Sequence, residues 1–298
     1  MKSLAHPRSV PFMVYADTEG NIFEDTRYQA VGRSGYEVYP LQPEDFIELP
    51  TGSDLFTLPG RRPYGLDVQT GEFEVREDVQ AVAALNAPAY TQLYMAAFGT
   101  EEEGAPTLPL YCYTVVGWLD GKFYTTAVRI DQDERQDLEN FDREYIIEQT
   151  KIRLEEHPEN RLIQHLGNNC SMRYSCPAAR NFFMGRWECP IPVSPACNSN
   201  CLGCISFQPE EHELTSPQER LAFIPSVDEI VEFTLPHLES ADRAIVSFGQ
   251  GCEGEPLLVW QLMRDAIIAI RKKTSRGIIN LNTNGSKPKA VEELMKAG

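Results

Sequence analysis

The sequence predicts an α/β fold for the last third of the chain, preceded by an N-terminal α+β region rich in strands. From residue 190 onward, short apolar runs typical of strands alternate with longer segments of helical periodicity. In the first half, runs of β-branched and aromatic residues instead flank short turns. Alternating strands and helices favour a parallel sheet, whereas strands joined by tight turns favour antiparallel hairpins.

Three hairpins are predicted in the first half, with turns at residues 19–21, 70–71 and 120–121. Helical spacing of apolar residues then predicts a helix from about Asp133 to Glu156, which ends at His157-Pro158, and a second short helix in RLIQHL. We therefore expect an N-terminal domain of unknown role at 1–165 and a cysteine-rich connector at 166–189. The last domain spans 190–298.

The last domain contains three strand candidates. PIPVSP, at 190–195, is a short candidate, and its three prolines either confine it to a sheet edge or exclude it from a sheet. The other two candidates are RAIVSFG at 243–249 and GIINLN at 277–282. A capping box of Ser226 and Glu229 begins a helix between the first two strands. A second helix, in EPLLVWQLMRDAIIAIRKKT, separates the last two. This β-α-β-α-β-α order indicates a parallel sheet.

Composition limits the function classes. The 298 residues include 27 basic and 44 acidic side chains, so the net charge of -17 disfavours binding to duplex nucleic acid. The first 17 residues contain no apolar leader, and no stretch of 18 apolar residues occurs anywhere, so we expect a cytoplasmic protein without a membrane anchor. Cysteines stay reduced in that compartment, and the eight in this chain are interpreted as ligands or buried thiols.

Three unusual loops follow the three predicted strands. The first is CNSNCLGC, which spaces Cys197, Cys201 and Cys204 as C-x3-C-x2-C. The other two are GQGCEGEP and NTNG. Ligands gather at the carboxyl ends of parallel strands, so these loops are expected to form one site. Three thiolates suit an iron–sulfur cube with one open iron, whereas a zinc site completed by Cys189 or Cys176 is the alternative.

These motifs resemble those of the radical S-adenosylmethionine (radical SAM) enzymes over residues 190–298. The C-x3-C-x2-C loop, the EGEP turn and the TNG sequence occur in the order that this family uses. The resemblance implies the first half of a partial (β/α)6 barrel, truncated after the third unit, and the sequence is interpreted as a fragment of a longer protein. Gly203 departs from the family, in which an aromatic residue often precedes the third cysteine, and Cys252 and Glu253 stand where glycines are frequent.

The resemblance also implies the cofactors and their residues. Cys197, Cys201 and Cys204 would hold a 4Fe-4S cluster, and S-adenosyl-L-methionine would chelate its open iron. The cofactor contacts would come from two loops: Glu253, Gly254, Glu255, Asn282, Thr283 and Asn284. One electron from the cluster would then cleave the sulfonium, and the resulting 5'-deoxyadenosyl radical would abstract a hydrogen from an unknown substrate, such as a peptide or small metabolite. Ferredoxin or flavodoxin would supply the electron.

Two questions stay open at this level. Cys170, Cys176 and Cys189 fit either an auxiliary cluster or metal site, or buried thiols in a linker. No two histidines stand at a spacing that indicates a metal site. A non-catalytic iron–sulfur or zinc module, serving binding or electron transfer, is the alternative to an enzyme.

Overall fold

The computed structural model of the chain describes residues 6–101 and 103–298. Residues 1–5 lie outside these ranges. They belong to the first 17 residues, for which the sequence predicts no apolar leader. The chain divides into two compact units, Met1–Asn140 and Phe141–Gly298. The boundary that the sequence predicts at residue 165 falls inside the second unit, because the helical segment before it packs against the cysteine-rich segment after it.

The first unit is built from β-strands. Twelve of its described strands form one sheet in which all pairs are antiparallel, and the other two form a separate antiparallel pair. The strands are β1 (Phe12–Ala16), β2 (Ile22–Ser34), β3 (Glu37–Pro40), β4 (Ile47–Glu48), β5 (Asp54–Leu58), β6 (Arg61–Asp67), β7 (Phe73–Val75), β8 (Gln80–Leu85), β9 (Tyr90–Gln92), β10 (Met95–Ala96), β11 (Phe98–Glu101), β12 (Val116–Leu119), β13 (Lys122–Thr125) and β14 (Ala127–Arg129).

The three predicted hairpins are confirmed. Strand β1 pairs with β2, β6 with β7, and β12 with β13, each across the expected turn. The last turn shows why: Asp120 and Gly121 both have positive φ, 50° and 81°. That backbone matches the right-handed twist of paired strands, and Asp-Gly is a sequence that adopts it readily.

The second unit contains all the α-helices of the described residues. They are α1 (Arg143–Glu156), α2 (Arg161–His165), α3 (Pro177–Phe183), α4 (Val227–Ser240), α5 (Trp260–Arg271) and α6 (Pro288–Ala297), and a π-helix covers Leu166–Arg173. Helix α1 begins ten residues later than the sequence predicts, because Asp142 caps it by accepting a hydrogen bond from the Tyr145 N–H. No helix in the described ranges is both long and apolar enough to cross a bilayer.

Three strands of the second unit form a parallel sheet in the order β15 (Glu188–Ile191), β16 (Ile245–Phe248) and β17 (Ile278–Leu281). Helix α4 connects the first two strands and α5 the last two. Pro190 is tolerated because β15, among the described residues, pairs with β16 alone and so lies at an edge. One apolar core holds the sheet to its helices and includes Phe182, Ile191 and Phe248.

The predicted barrel-type fold class is wrong. The protein is mixed, with 29% helix and 26% strand, and its largest element is the 12-stranded antiparallel sheet. A barrel requires every strand to pair on both sides. Within the described residues, β15 and β17 each pair only with β16, so the parallel strands form an open sheet. The motifs identify a strand–loop–helix order, but they do not decide how many strands pair or whether the sheet closes.

Candidate functional site: three interlocked loops

The cysteine loop leaves the carboxyl end of β15 and carries the three predicted cluster ligands. Cys197 and Cys201 are exposed, and Cys204 is half-buried. A turn closes the second half of the motif, because the Cys204 N–H donates to the Cys201 carbonyl at 3.1 Å. The loop therefore presents at least two thiols to solvent at the end of the sheet where ligands of parallel sheets bind.

Cys204 lies in a polar environment that stabilises its thiolate. The guanidinium of Arg220 donates to its Sγ at 3.3 Å, and the Ser206 hydroxyl lies 3.8 Å from the same atom. Partial burial raises the pKa of Cys204, but hydrogen bonds from Ser206, Phe207 and Arg220 outweigh it and lower the pKa below the usual value. A thiol poised in this way ionises easily and is a good metal ligand.

Glu253 ties the first loop to the second. Its Oε2 accepts the N–H groups of Val193 and Ser194 at 2.8 and 2.9 Å, and its Oε1 accepts those of Gly249 and Gln250 at 2.8 Å each. The side chain is buried. Burial raises the pKa of Glu253 to about 7, against the four hydrogen bonds that lower it. One carboxylate thus positions the ends of two strands.

The EGEP turn also contacts the cysteine loop through its backbone. Gly254 donates to the Ser194 carbonyl at 2.7 Å, and Glu255 donates to the Ala196 carbonyl at 2.8 Å. A Cβ added at Gly254 would lie 1.9 Å from the Ala196 oxygen. Only glycine allows this approach, so the identity of residue 254 sets the distance between the two loops.

Glu255 connects the second loop to the third. Its carboxylate accepts hydrogen bonds from the Thr283 hydroxyl and from the Asn284 N–H, the latter at 2.8 Å. It also accepts the Leu257 N–H at 2.9 Å and so caps the short helix that follows. Like Glu253, Glu255 is buried. Both carboxylates therefore bond to the protein's own loops, and neither presents a free oxygen to solvent.

The third loop also forms hydrogen bonds with the cysteine loop, so each of the three loops contacts the other two. The Asn284 amide donates to Asn198 Oδ1 and to Ser199 Oγ at 2.9 Å each, and the Asn198 amide donates to Ser286 Oγ at 2.9 Å. Asn282, Thr283 and Asn284 remain exposed. The predicted site residues of all three loops thus lie at one end of one parallel sheet.

The three cysteines of the connector, Cys170, Cys176 and Cys189, do not form one group in the structure. Among the described residues, one set of three metal-ligating side chains has its ligand atoms within 4.8 Å of one another: His165, Cys170 and Cys252. Cys176 lies close enough to Cys252 that, after its own burial, the Cys252 thiol contributes to raising its pKa. Cys189 is buried within β15, which raises its pKa well above the ordinary value, and it is not part of that set.

The three thiols of the cysteine loop do not form such a close set among the described residues. Ligands that share one tetrahedral zinc ion would lie about 3.8 Å apart, from a Zn–S distance near 2.3 Å. Thiolates that bind different irons of a cube lie farther from one another. In this structure the three Sγ atoms are therefore not placed as they would be around one zinc ion.

Several contributing residues lie outside the predicted set. Arg220 comes from the long segment between Cys204 and α4, and Asn198 and Ser199 lie between the first two cysteines. An arginine distant in sequence carries no local signal. Asn198 and Ser199 stand inside the motif, where side chains that can bond a neighbouring loop are foreseeable.

No protein-family model, curated protein or solved structure matches this chain. The resemblance to radical SAM enzymes therefore depends on the sequence motifs alone.

Proposed function

We propose that this chain is a radical SAM enzyme. The observation that carries the proposal is the mutual bonding of the three loops, through Glu253, Gly254, Glu255 and Asn284, at the carboxyl end of β15, β16 and β17. Hydrogen bonds that join loops distant in sequence position groups for a common ligand. The three motifs of the family occupy these three loops.

The donor set fits an iron–sulfur cluster. Cys197, Cys201 and Cys204 would hold it, and thiolates are the ligands that such clusters use. Arg220 places a positive charge beside Cys204 and would offset part of the negative charge that three thiolates introduce. When bound, the cluster would supply an electron to the sulfonium of S-adenosyl-L-methionine, and the fourth iron would offer a place for the amino acid part of that cofactor.

Glu253 and Glu255 act as positioning residues in this proposal, because their oxygens already accept backbone and hydroxyl donors. Asn282, Thr283 and Asn284 are the exposed polar residues of the third loop, and a cofactor there would compete with the bonds that Thr283 and Asn284 make to the other two loops. Amides and hydroxyls both donate and accept, so they suit a carboxylate or a ribose. The backbone of Gly254 would line the same site.

Product analysis tests the proposal. The full chain is reconstituted with iron and sulfide without oxygen, then incubated with dithionite and S-adenosylmethionine. We expect 5'-deoxyadenosine from the wild type and from Cys112→Ala, a control that removes an exposed cysteine of the first unit, outside the motif. Cys201→Ala should abolish the product. A chain that holds its cluster but forms no 5'-deoxyadenosine, or a Cys201→Ala variant that still forms it, would contradict the proposal.

A non-catalytic metal-binding or electron-transfer module is the second candidate. The burial of Glu253 and Glu255 favours it, because no carboxylate of the EGEP turn is free to accept the amino group of a cofactor. This candidate predicts a redox-active cluster, or bound zinc without acid-labile sulfide, and no 5'-deoxyadenosine. Metal and sulfide analysis alongside the product assay separates the two.

The remaining properties follow from the enzyme proposal. Exposed cluster thiolates need a reducing compartment, so we place the protein in the cytoplasm. A ferredoxin or flavodoxin would supply electrons, which can be tested by replacing dithionite with the reduced carrier. The substrate would be a peptide or small metabolite, and the net charge of -17 disfavours duplex nucleic acid.

A further inference from the structure

A second group of metal-ligating side chains lies in the interior of the second unit, and it shares only Cys252 with the three loops. A ring nitrogen of His165 and the Sγ atoms of Cys170 and Cys252 all lie within 4.8 Å of one another. The three residues are only 9%, 3% and 6% exposed. His165 Nε2 is buried and makes no hydrogen bond of normal geometry, although the Cys252 thiol lies close enough to interact with the ring. Burying a polar atom without a hydrogen-bond partner destabilises the folded state, so a bound ligand or ion is expected to contact it.

The π-helix explains how His165 and Cys170 meet. They are five residues apart, a spacing that places side chains about 140° apart around an ordinary α-helix. The segment Leu166–Arg173 instead forms a π-helix, whose i to i+5 hydrogen bonds bring residues five apart together. This wide turn is uncommon and occurs frequently at functional sites. A search for metal ligands at α-helical spacing does not find this pair.

Asn169 and Cys252 complete the arrangement. The Asn169 amide lies 3.1 Å from His165 Nδ1, and a bond there orients the ring and leaves Nε2 as the ring nitrogen that can bind a metal. Cys252 comes from the GQGCEGEP loop, so the group joins the π-helix to the end of β16. A cleft of about 390 Å³, lined by His165, Asn169 and Arg220 among others, reaches the histidine of this group, whereas Cys170 and Cys252 do not line it.

We propose that His165, Cys170 and Cys252 bind a thiophilic divalent metal ion, with Zn²⁺ preferred. One nitrogen and two sulfurs are ligands typical of zinc, and a tetrahedral ion would hold them about 3.6–3.8 Å apart. The group needs only a small contraction to reach that geometry. Cys176 lies outside the close set, so a water molecule would take the fourth position. A disulfide between the two cysteines would leave His165 Nε2 unpartnered, so a metal explains more of the site.

The test must exclude metal bound by the cysteine loop. We therefore use the full chain with Cys197→Ser, Cys201→Ser and Cys204→Ser, so that the result does not depend on the proposed enzyme activity. Titration with Zn²⁺ against a chromophoric chelator measures affinity and stoichiometry, and Co²⁺ reports thiolate ligation through its visible absorption. We expect one Zn²⁺ per chain and a tetrahedral thiolate spectrum with Co²⁺.

Further variants in the same background locate the ion. Cys170→Ser should abolish stoichiometric binding, and Asn169→Ala, which leaves the ligands in place, should weaken it by about 10–100-fold. Cys189→Ser removes a buried cysteine outside the group and should leave the affinity unchanged. Circular dichroism verifies that each variant is folded.

Three results would overturn the proposal. The first is an absence of stoichiometric Zn²⁺ binding in the folded triple variant. The second is an affinity that neither Cys170→Ser nor Asn169→Ala changes. The third is a Cys170–Cys252 disulfide that persists in protein purified under reducing conditions. The Co²⁺ spectrum is recorded while His165, Cys170 and Cys252 are all still present. The test therefore remains decisive if Cys170→Ser does not fold.

Discussion

Gly254→Ala provides a direct test of the packing between the EGEP turn and the cysteine loop. The added Cβ would lie 1.9 Å from the Ala196 oxygen and 2.4 Å from its carbonyl carbon, so the two backbones must separate. Overpacking of this kind costs about 1–3 kcal/mol, and weakening the two backbone hydrogen bonds at Ser194 and Ala196 adds roughly 1 kcal/mol. We expect the free energy of unfolding to fall by about 2–4 kcal/mol.

Gly203→Ala is the matched control. Gly203 lies within the cysteine loop, but an added Cβ there meets no atom within 4 Å. Alanine at such a position should be neutral, or stabilise by up to about 1 kcal/mol through the unfolded chain.

Urea denaturation measures both variants, and hydrogen exchange resolved by peptide locates the loss at residues 193–204 and 249–256. The reasoning is refuted by a Gly254→Ala variant as stable as the wild type, or by an equal loss in Gly203→Ala.

Three further predictions concern charge and backbone. Glu253→Gln places an amide nitrogen against two of the four N–H donors and should cost roughly 2–4 kcal/mol in urea denaturation, whereas Glu219→Gln at an exposed site should cost little. Arg161 lowers the pKa of Glu229 from 4.5 to about 2, so this pair stabilises the fold above pH 4.5 and loses its effect as the pH falls toward 2. In Glu229→Gln the stability should therefore change less with pH between 4.5 and 2 than in the wild type. An unchanged slope would argue against the pair. Gly121→Ala should destabilise the first unit by about 1 kcal/mol in thermal unfolding, because φ at this position is 81°, and a neutral result would exclude strain at the turn.

The sequence by itself determines the local features of this protein. Asp120-Gly121 predicts a hairpin because few other residue pairs tolerate two positive φ angles. Ser226 and Glu229 predict the start of α4, and both bonds of that capping box are present. The order of strands and motifs brings the three loops to one end of the sheet, because parallel strands place their carboxyl ends together.

Tertiary structure alone decides which groups each loop bonds. The motif predicts Glu255 as a cofactor contact but not its bonds to Thr283 and Asn284, because hydrogen bonds between residues nearly 30 positions apart have no local signature. His165 and Cys170 meet only because the segment forms a π-helix, and Cys252 joins them from a distant loop. The 12-stranded sheet likewise depends on pairing between strands far apart in the chain. Local propensity selects helices, strands and turns, but packing between distant segments selects their partners.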